Sequence, residues 1–312
     1  MRVGFVSADF GIHPIGYFLV RVLENLDRGQ VETTCYSNRG APDDRTDRLR
    51  AAAAHWRHVS SLSHEQLAAQ IRDDQIDILF DLSGHTGGHR LLTFARKPAP
   101  LAITWAGYVG TTGLAALDYL LADRYEVPVS AEPLYRERIL RMPDGYVCYD
   151  PPHDAPPVSP LPALAQGHVT FGSFNNVGKI TPDVVALWAK VLKRVSGSRL
   201  LLKSLGMNDS SVVGRLTAKF AEHGVAPSSL EFQGSSEHRE LLAEYGRVDI
   251  GLDPFPYGGG LTTCESLWMG VPVITCPGET FASRHSFSHL SNVGLTETIA
   301  GDLETYVELA AA

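Results

Sequence analysis

Twice along this chain, short apolar runs of strand character alternate with longer segments carrying apolar residues at helical spacing. The first series reads Val3–Ser7 as a strand, Ile15–Leu26 as a helix and Val31–Tyr36 as a strand. Ser63 and Gln66 then form a capping box for a further helix, before strands at Ile76–Leu82, Leu101–Trp105 and Leu117–Ala122. A break follows at PPHDAPPVSPLP, Pro151–Pro162, where six prolines fix φ and remove backbone donors. The alternation resumes with a strand at His168–Phe174 and a helix at Pro182–Val195. Strands at Leu200–Lys203, Leu230–Phe232, Val248–Leu252 and Val271–Thr275 complete it. Such alternation builds parallel sheets with helices on both faces. The expected class is α/β, with two Rossmann-like, doubly wound domains at 1–150 and 167–312 joined by a proline-rich linker over 151–166. At 312 residues the chain is long enough for two separate cores. Two such domains facing each other leave a cleft at the carboxyl ends of their strands, where ligands bind.

Charge and cysteine content narrow the function. A formal net charge of −8 argues against a broad nucleic-acid footprint, while leaving room for a local pocket that takes a small anion. No apolar run is long enough to span a membrane, and MRVGFVSADFG reads as a strand rather than a signal peptide. Cys35, Cys148, Cys264 and Cys276 are scattered without a C-x-x-C pair, which suggests neither a disulfide scaffold nor a zinc site. A cytoplasmic location is the expectation.

The stretch LDPFPYGGGLTTCESLWMGVP, Leu252–Pro272, places three glycines and two threonines between a strand and a helix that stops at Gly270. A helix N-terminus offers unpaired N–H groups and a positive dipole end, so this loop suits a phosphate, although a tight strand-to-helix turn would use the same residues. Other polar turns end neighbouring strands: SADFGIHP with Asp9 and His13, DLSGHTGGHR (Asp81–Arg90), WAGYVGTTG with Gly107, and FNNVGKITP with Asn176 and Lys179. His13 suits a general base by its pKa, or else caps a helix. Lys179 just before a helix start suits a phosphate as a point charge. Asp-x-Asp is absent, so no metal is implied, and the dipole with Lys179 would have to balance a diphosphate. Glu265, one turn into the helix after the glycines, could accept from ribose hydroxyls.

Taken together, RVGFVSADFGIHP, KPAPLAITWAGYVGTTG, LDYLLAD, FNNVGKITP, LDPFPYGGGLTTCESLWMGVPV and PGETFASR resemble the catalytic region of the O-linked N-acetylglucosamine transferases. These are nucleocytoplasmic protein glycosyltransferases with a two-domain GT-B fold. The resemblance runs almost end to end and implies a UDP-GlcNAc donor, a protein or peptide acceptor and no cofactor. It places the family's diphosphate lysine on Lys179 and its uridine-site glutamine on Asn176. The phosphate-binding His-Thr-Thr triplet falls on Gly260, Leu261 and Thr262, and the ribose-binding aspartate on Glu265. Asp9 and His13 match an aspartate and a histidine considered for the proton path. The uracil-stacking histidine position falls near Leu241, whereas the available histidine is His238, three residues earlier; backbone groups near Ser236 offer a second route to the base. Tyr257, Gly259, Thr263 and Gly107 complete the expected donor-side set. Family members carry tetratricopeptide repeats upstream of the first strand, and these are expected in the native protein.

FGSFNNVGKITP and FPYGGGLTTCESLWMGVP are also similar to the plant SPINDLY O-fucosyltransferases, which use GDP-fucose. The expected activity is inverting, metal-independent transfer of N-acetylglucosamine to Ser or Thr hydroxyls. The alternatives are protein O-fucosyl transfer, N-linked glucosyl transfer, and a nucleotide-sugar-binding module without turnover.

Overall fold

In the computed structural model, which describes residues 1–312, the opening apolar run becomes an inner strand of a seven-stranded sheet. The first unit, Met1–Asp150, runs β1 (Arg2–Ser7), α1 (Pro14–Asn25), β2 (Glu32–Ser37), α2 (Asp44–Ala52), β3 (His55–His58), α3 (His64–Asp73), β4 (Ile78–Asp81), α4 (Leu91–Phe94), β5 (Leu101–Trp105), β6 (Tyr119–Asp123) and β7 (Arg138–Met142). All neighbouring strands are parallel, in the order β3-β2-β1-β4-β5-β6-β7. The chain therefore steps outward through β2 and β3, then returns to lay β4 beside β1, with Val6 opposite Asp81. That reversal opens a crevice at the carboxyl ends of β1 and β4.

Local chemistry explains the elements. Ser63 and Gln66 form the expected reciprocal cap on α3, which buries Leu67 and Ile71 in one cluster with Tyr36, Leu79 and Phe94. At the end of the unit, Asp150 is buried and gathers three arginines: Arg45, Arg48 at 2.6 Å and Arg21 at 3.4 Å. These come from α1 and α2, so the last residue of the unit is bound to its first two helices.

The second unit, Pro151–Ala312, repeats the winding: α5 (Pro162–Gln166), β8 (Thr170–Ser173), α6 (Pro182–Arg194), β9 (Arg199–Lys203), α7 (Ser210–Glu222), β10 (Leu230–Gln233), α8 (His238–Glu244), β11 (Ile250–Leu252), α9 (Leu261–Trp268), β12 (Val273–Ile274), α10 (His285–Val293) and α11 (Leu303–Ala311). Its parallel sheet has the order β10-β9-β8-β11-β12, with the same reversal between β8 and β11. Its core centres on Trp188, Leu200, Leu202, Phe220 and Tyr306. No helix of either unit is long and apolar enough to cross a membrane.

Two differences from the sequence expectation have physical causes. The proline-rich segment packs onto the second unit rather than running free: Ser159 Oγ donates to the Gly246 carbonyl at 3.2 Å and Arg239 to that of Asp154 at 3.2 Å. It ends in a short helix whose first residue is Pro162, a position where a missing N–H costs nothing. Strands β3 and β7 and the helices α2, α4, α7, α8, α10 and α11 have no counterpart in the sequence reading. Both strands are sheet edges, and HWRH and RILRM show the polar faces that edges carry.

Candidate active site

The glycine loop does run from a strand, β11, into a helix N-terminus, α9. Asp253, the residue after β11, organises it. Its carboxylate accepts from the Gly259 N–H at 2.7 Å and from Thr275 Oγ1 at 2.7 Å. Burial pushes the Asp253 carboxyl up, with Thr275, Ser286, Gly259 and Lys179 pulling it back. The backbone carbonyl of Asp253 accepts from Tyr306 Oη at 3.0 Å, and Tyr306 in turn accepts from the Trp188 indole N–H at 3.2 Å. The loop is thereby tied to the centre of the core. A Cβ on Gly259 would meet Thr263 Oγ1 at 2.5 Å and Thr262 Oγ1 at 2.7 Å, so only glycine fits there. Gly260 is different. The nearest side chain to its would-be Cβ lies 4.0 Å away, leaving the front of the helix N-terminus open.

Lys179 closes on this loop from the turn after β8. Its Nζ donates to the Gly258 carbonyl at 2.6 Å and to Asn175 Oδ1 at 3.1 Å, and lies 4.0 Å above the centre of the Tyr257 ring. Asn175 Oδ1 also accepts from Thr262 Oγ1 at 3.3 Å. Burial pushes the Lys179 ammonium down to about 8, against the upward pull of Asp253. A partly desolvated cation beside an uncapped helix N-terminus is an anion site in chemical terms, because both terms favour negative charge.

Glu265 and His238 meet each other. Glu265 is buried in α9, and its Oε1 lies 2.7 Å from His238 Nε2 at the start of α8. A cavity of about 470 Å³ opens nearby at the carboxyl ends of β9 and β10, lined by Lys203, Gln233, Ser235, Ser236 and Glu240 among others. Ser236 Oγ is enclosed there without a hydrogen-bond partner. α9 ends at Trp268, which is 51% exposed. The structure thus brings together Lys179, Tyr257, Gly259, Gly260, Leu261, Thr262 and Thr263, and pairs Glu265 with His238. Asn176 is exposed and caps the next turn, its Oδ1 accepting from the Gly178 N–H at 2.8 Å. The sequence reading passed over Asp253, Asn175 and Tyr306; an aspartate at a strand's carboxyl end was the one available signal.

Asp9, His13 and Gly107 belong to the first unit. Gly107 sits where a Cβ would strike the Leu82 carbonyl at 2.1 Å, so close backbone packing accounts for that glycine. His13 is the N-cap of α1: its Nδ1 accepts from the Ile15 N–H at 3.3 Å, and its Nε2 stands 4.0 Å from Asp9 Oδ1. Burial lowers its pKa, Asp9 raises it, and Arg39 lowers it further. With Nδ1 taking a backbone N–H, the neutral ring carries its proton on Nε2 and has no lone pair to spare. The capping alternative left open by the sequence is thus the one this geometry displays, with Nε2 turned toward Asp9.

A profile of glycosyl transferase family 41 matches residues 1–154 and 161–312. A Petunia hybrida protein called probable UDP-N-acetylglucosamine–peptide N-acetylglucosaminyltransferase SPINDLY is 38% identical over 99% of this chain and 34% of its own length. The Arabidopsis thaliana protein of the same name is 37% identical over the same shares. The chain thus spans about a third of the length of these curated relatives. Among solved structures, a mutant of the Thermobaculum terrenum O-GlcNAc transferase superposes with a TM-score of 0.96 at 41% identity, covering 100% of this chain and 59% of that one. The Anabaena HepE protein in complex with UDP, at 11% identity and a TM-score of 0.56, covers 100% and 94% and shares the fold alone.

Proposed function

Because the chain belongs to glycosyl transferase family 41, with its α/β GT-B architecture, we propose that it transfers N-acetylglucosamine from UDP-GlcNAc to Ser or Thr hydroxyls of proteins, with inversion and without a metal. The observation that carries this reading is the half-buried Lys179 ammonium set against the open N-terminus of α9. Two of its three N–H bonds go to Gly258 and Asn175, and in this reading the third serves a phosphate oxygen. As the bond to the sugar breaks, negative charge grows on the diphosphate. In this reading Lys179 and the N–H groups of Leu261 and Thr262 balance it, and preorganised donors of this kind each lower a barrier by about 3–4 kcal/mol. The cavity beside Ser236 has room for the nucleobase. In this reading Glu265 takes the ribose hydroxyls, held in orientation by His238. The relatives' printed names support the donor and the peptide acceptor. Four free cysteines fit the cytoplasm as the setting.

Titration with UDP, GDP and their sugars, followed by transfer assays on peptides, tests the reading. Lys179→Ala is expected to abolish transfer and weaken UDP binding by more than about tenfold, the loss of one charge-assisted contact. Full UDP affinity in that variant would move the diphosphate elsewhere. Activity should survive EDTA; a strict requirement for Mg²⁺ or Mn²⁺ would contradict the metal-free part.

A further inference from the structure

The sheet of the first unit ends at β7, and that edge is open. The Arg138 N–H donates to the Asp118 carbonyl at 3.0 Å, and β7 runs parallel to β6 with Arg138 opposite Tyr119. Along a parallel ladder the backbone groups of alternate residues face alternate sides. Those of Arg138, Leu140 and Met142 therefore face β6, and those of Ile139 and Arg141 face outward. Neither outward N–H has a hydrogen-bond partner.

Edge strands are ordinarily guarded by charge, proline or a bulge. β3, at the other edge, carries His55, Arg57 and His58. β7 is less guarded: Leu140 and Met142 are exposed, and they share a sheet face with Leu121, Trp105, Phe80 and Phe5. An apolar cavity of about 340 Å³ opens on that face, and Met142 is part of its wall. Charge gives the edge a direction. Arg136 and Arg138, at the start of β7, pair with no carboxylate; Arg138 lies instead 5.1 Å from the centre of the Tyr119 ring. The carboxylates around them are engaged, Glu132 by Arg141, Asp118 by Lys97, and Glu137 by Thr111 and Thr112. Asp144 stands past the far end of the strand.

We propose that β7 receives an extended acidic peptide, which adds to the sheet as an eighth strand. The peptide backbone pairs with Ile139 and Arg141, and an acidic residue at one end of it meets Arg136 and Arg138. Apolar residues at alternate positions cover Leu140 and Met142 beside the cavity. Main-chain pairing of this kind supplies affinity, while the arginines and the apolar face select the sequence. The surface lies wholly within the first unit and does not depend on the transferase reading.

The test is fluorescence anisotropy on the full chain with a labelled peptide of sequence EDVQVQVQ, which has no Ser or Thr and so offers no hydroxyl for transfer. Saturable binding is expected, and lysines in place of the two acidic residues should weaken it by about tenfold or more, as should Arg138→Glu. Ile139→Pro removes one outward N–H and should weaken binding by about threefold to tenfold, with the melting temperature as its control. Two further probes, N-methylated on one or the other alternate set of amides, leave the protein untouched. Only one set can face β7, so one probe should bind like the parent peptide and the other should lose about tenfold or more. If Ile139→Pro does not fold, the N-methylated pair decides. Absence of saturable binding, equal binding of the lysine peptide, or equal binding of the two N-methylated probes overturns the proposal.

Discussion

Lys179 is charged at neutral pH and loses that charge through a pKa of about 8, because burial outweighs the pull of Asp253. Only the ammonium form attracts a diphosphate. UDP affinity should therefore fall as pH rises from about 7 to 9, and near pH 8 binding should take up roughly half a proton. Calorimetry in two buffers of different ionisation enthalpy measures that uptake; a value of zero would detach Lys179 from the ligand. The stability linkage has the opposite sense. A lysine held below its ordinary 10.5 costs the folded state free energy while it is charged, and that cost fades as pH climbs from about 8 to 10.5. Lys179→Met should accordingly raise the melting temperature at pH 7 while losing UDP, the mark of a residue kept for function. Lys179 was legible in FNNVGKITP because loop, charge and helix start are adjacent in sequence. Asp253 was not, since Thr275 and Ser286 reach it only once β12 and α10 are in place. His13 was legible as a candidate, but its role turned on which ring nitrogen meets Ile15, a detail no spacing encodes.

At the scale of elements, the loop before α9 separates two uses of glycine. Gly259→Ala drives a methyl group into Thr262 and Thr263 and should cost about 1–3 kcal/mol in chemical denaturation, as overpacking does. Gly260→Ala meets nothing closer than 4.0 Å, so its fold should survive while a ligand pressed against that backbone is displaced. Equal melting temperatures for the two variants would refute the distinction. The buried strands and the apolar helices were readable because burial on one or both faces writes an apolar pattern into the chain. β3 and β7 escaped because an edge strand needs no such pattern. The helices α8 and α10 escaped for a related reason: α10 buries His285, Ser286, Ser288 and His289, polar residues that hide a buried face from any reading by hydropathy.

At the scale of the whole molecule, both units start in mid-sheet, wind outward and return, and both place a buried aspartate at the end of the strand that returns. Asp81 closes β4 and accepts from the N–H groups of Ser83 and Gly84 and from Thr104; Asp253 does the corresponding work after β11. The two-domain α/β class was legible from alternation alone, whereas this shared device required the strand order. The second unit has its own core and holds every candidate diphosphate contact. Residues 151–312 produced alone should fold, with helical circular dichroism and a cooperative melt, and should bind UDP within about tenfold of the full chain. Failure to fold would show that its core is insufficient by itself.

The exposed indole at the end of α9 offers an optical consequence. α9 is about 12 Å long, so Trp268 stands one helix length from the point where a diphosphate would land. Trp188, by contrast, is enclosed and bonded to Tyr306. Emission from the outer indole can thus report occupancy at the far end of its helix without any added dye, and a Trp268→Phe control would remove that signal while leaving those of Trp56, Trp105 and Trp188.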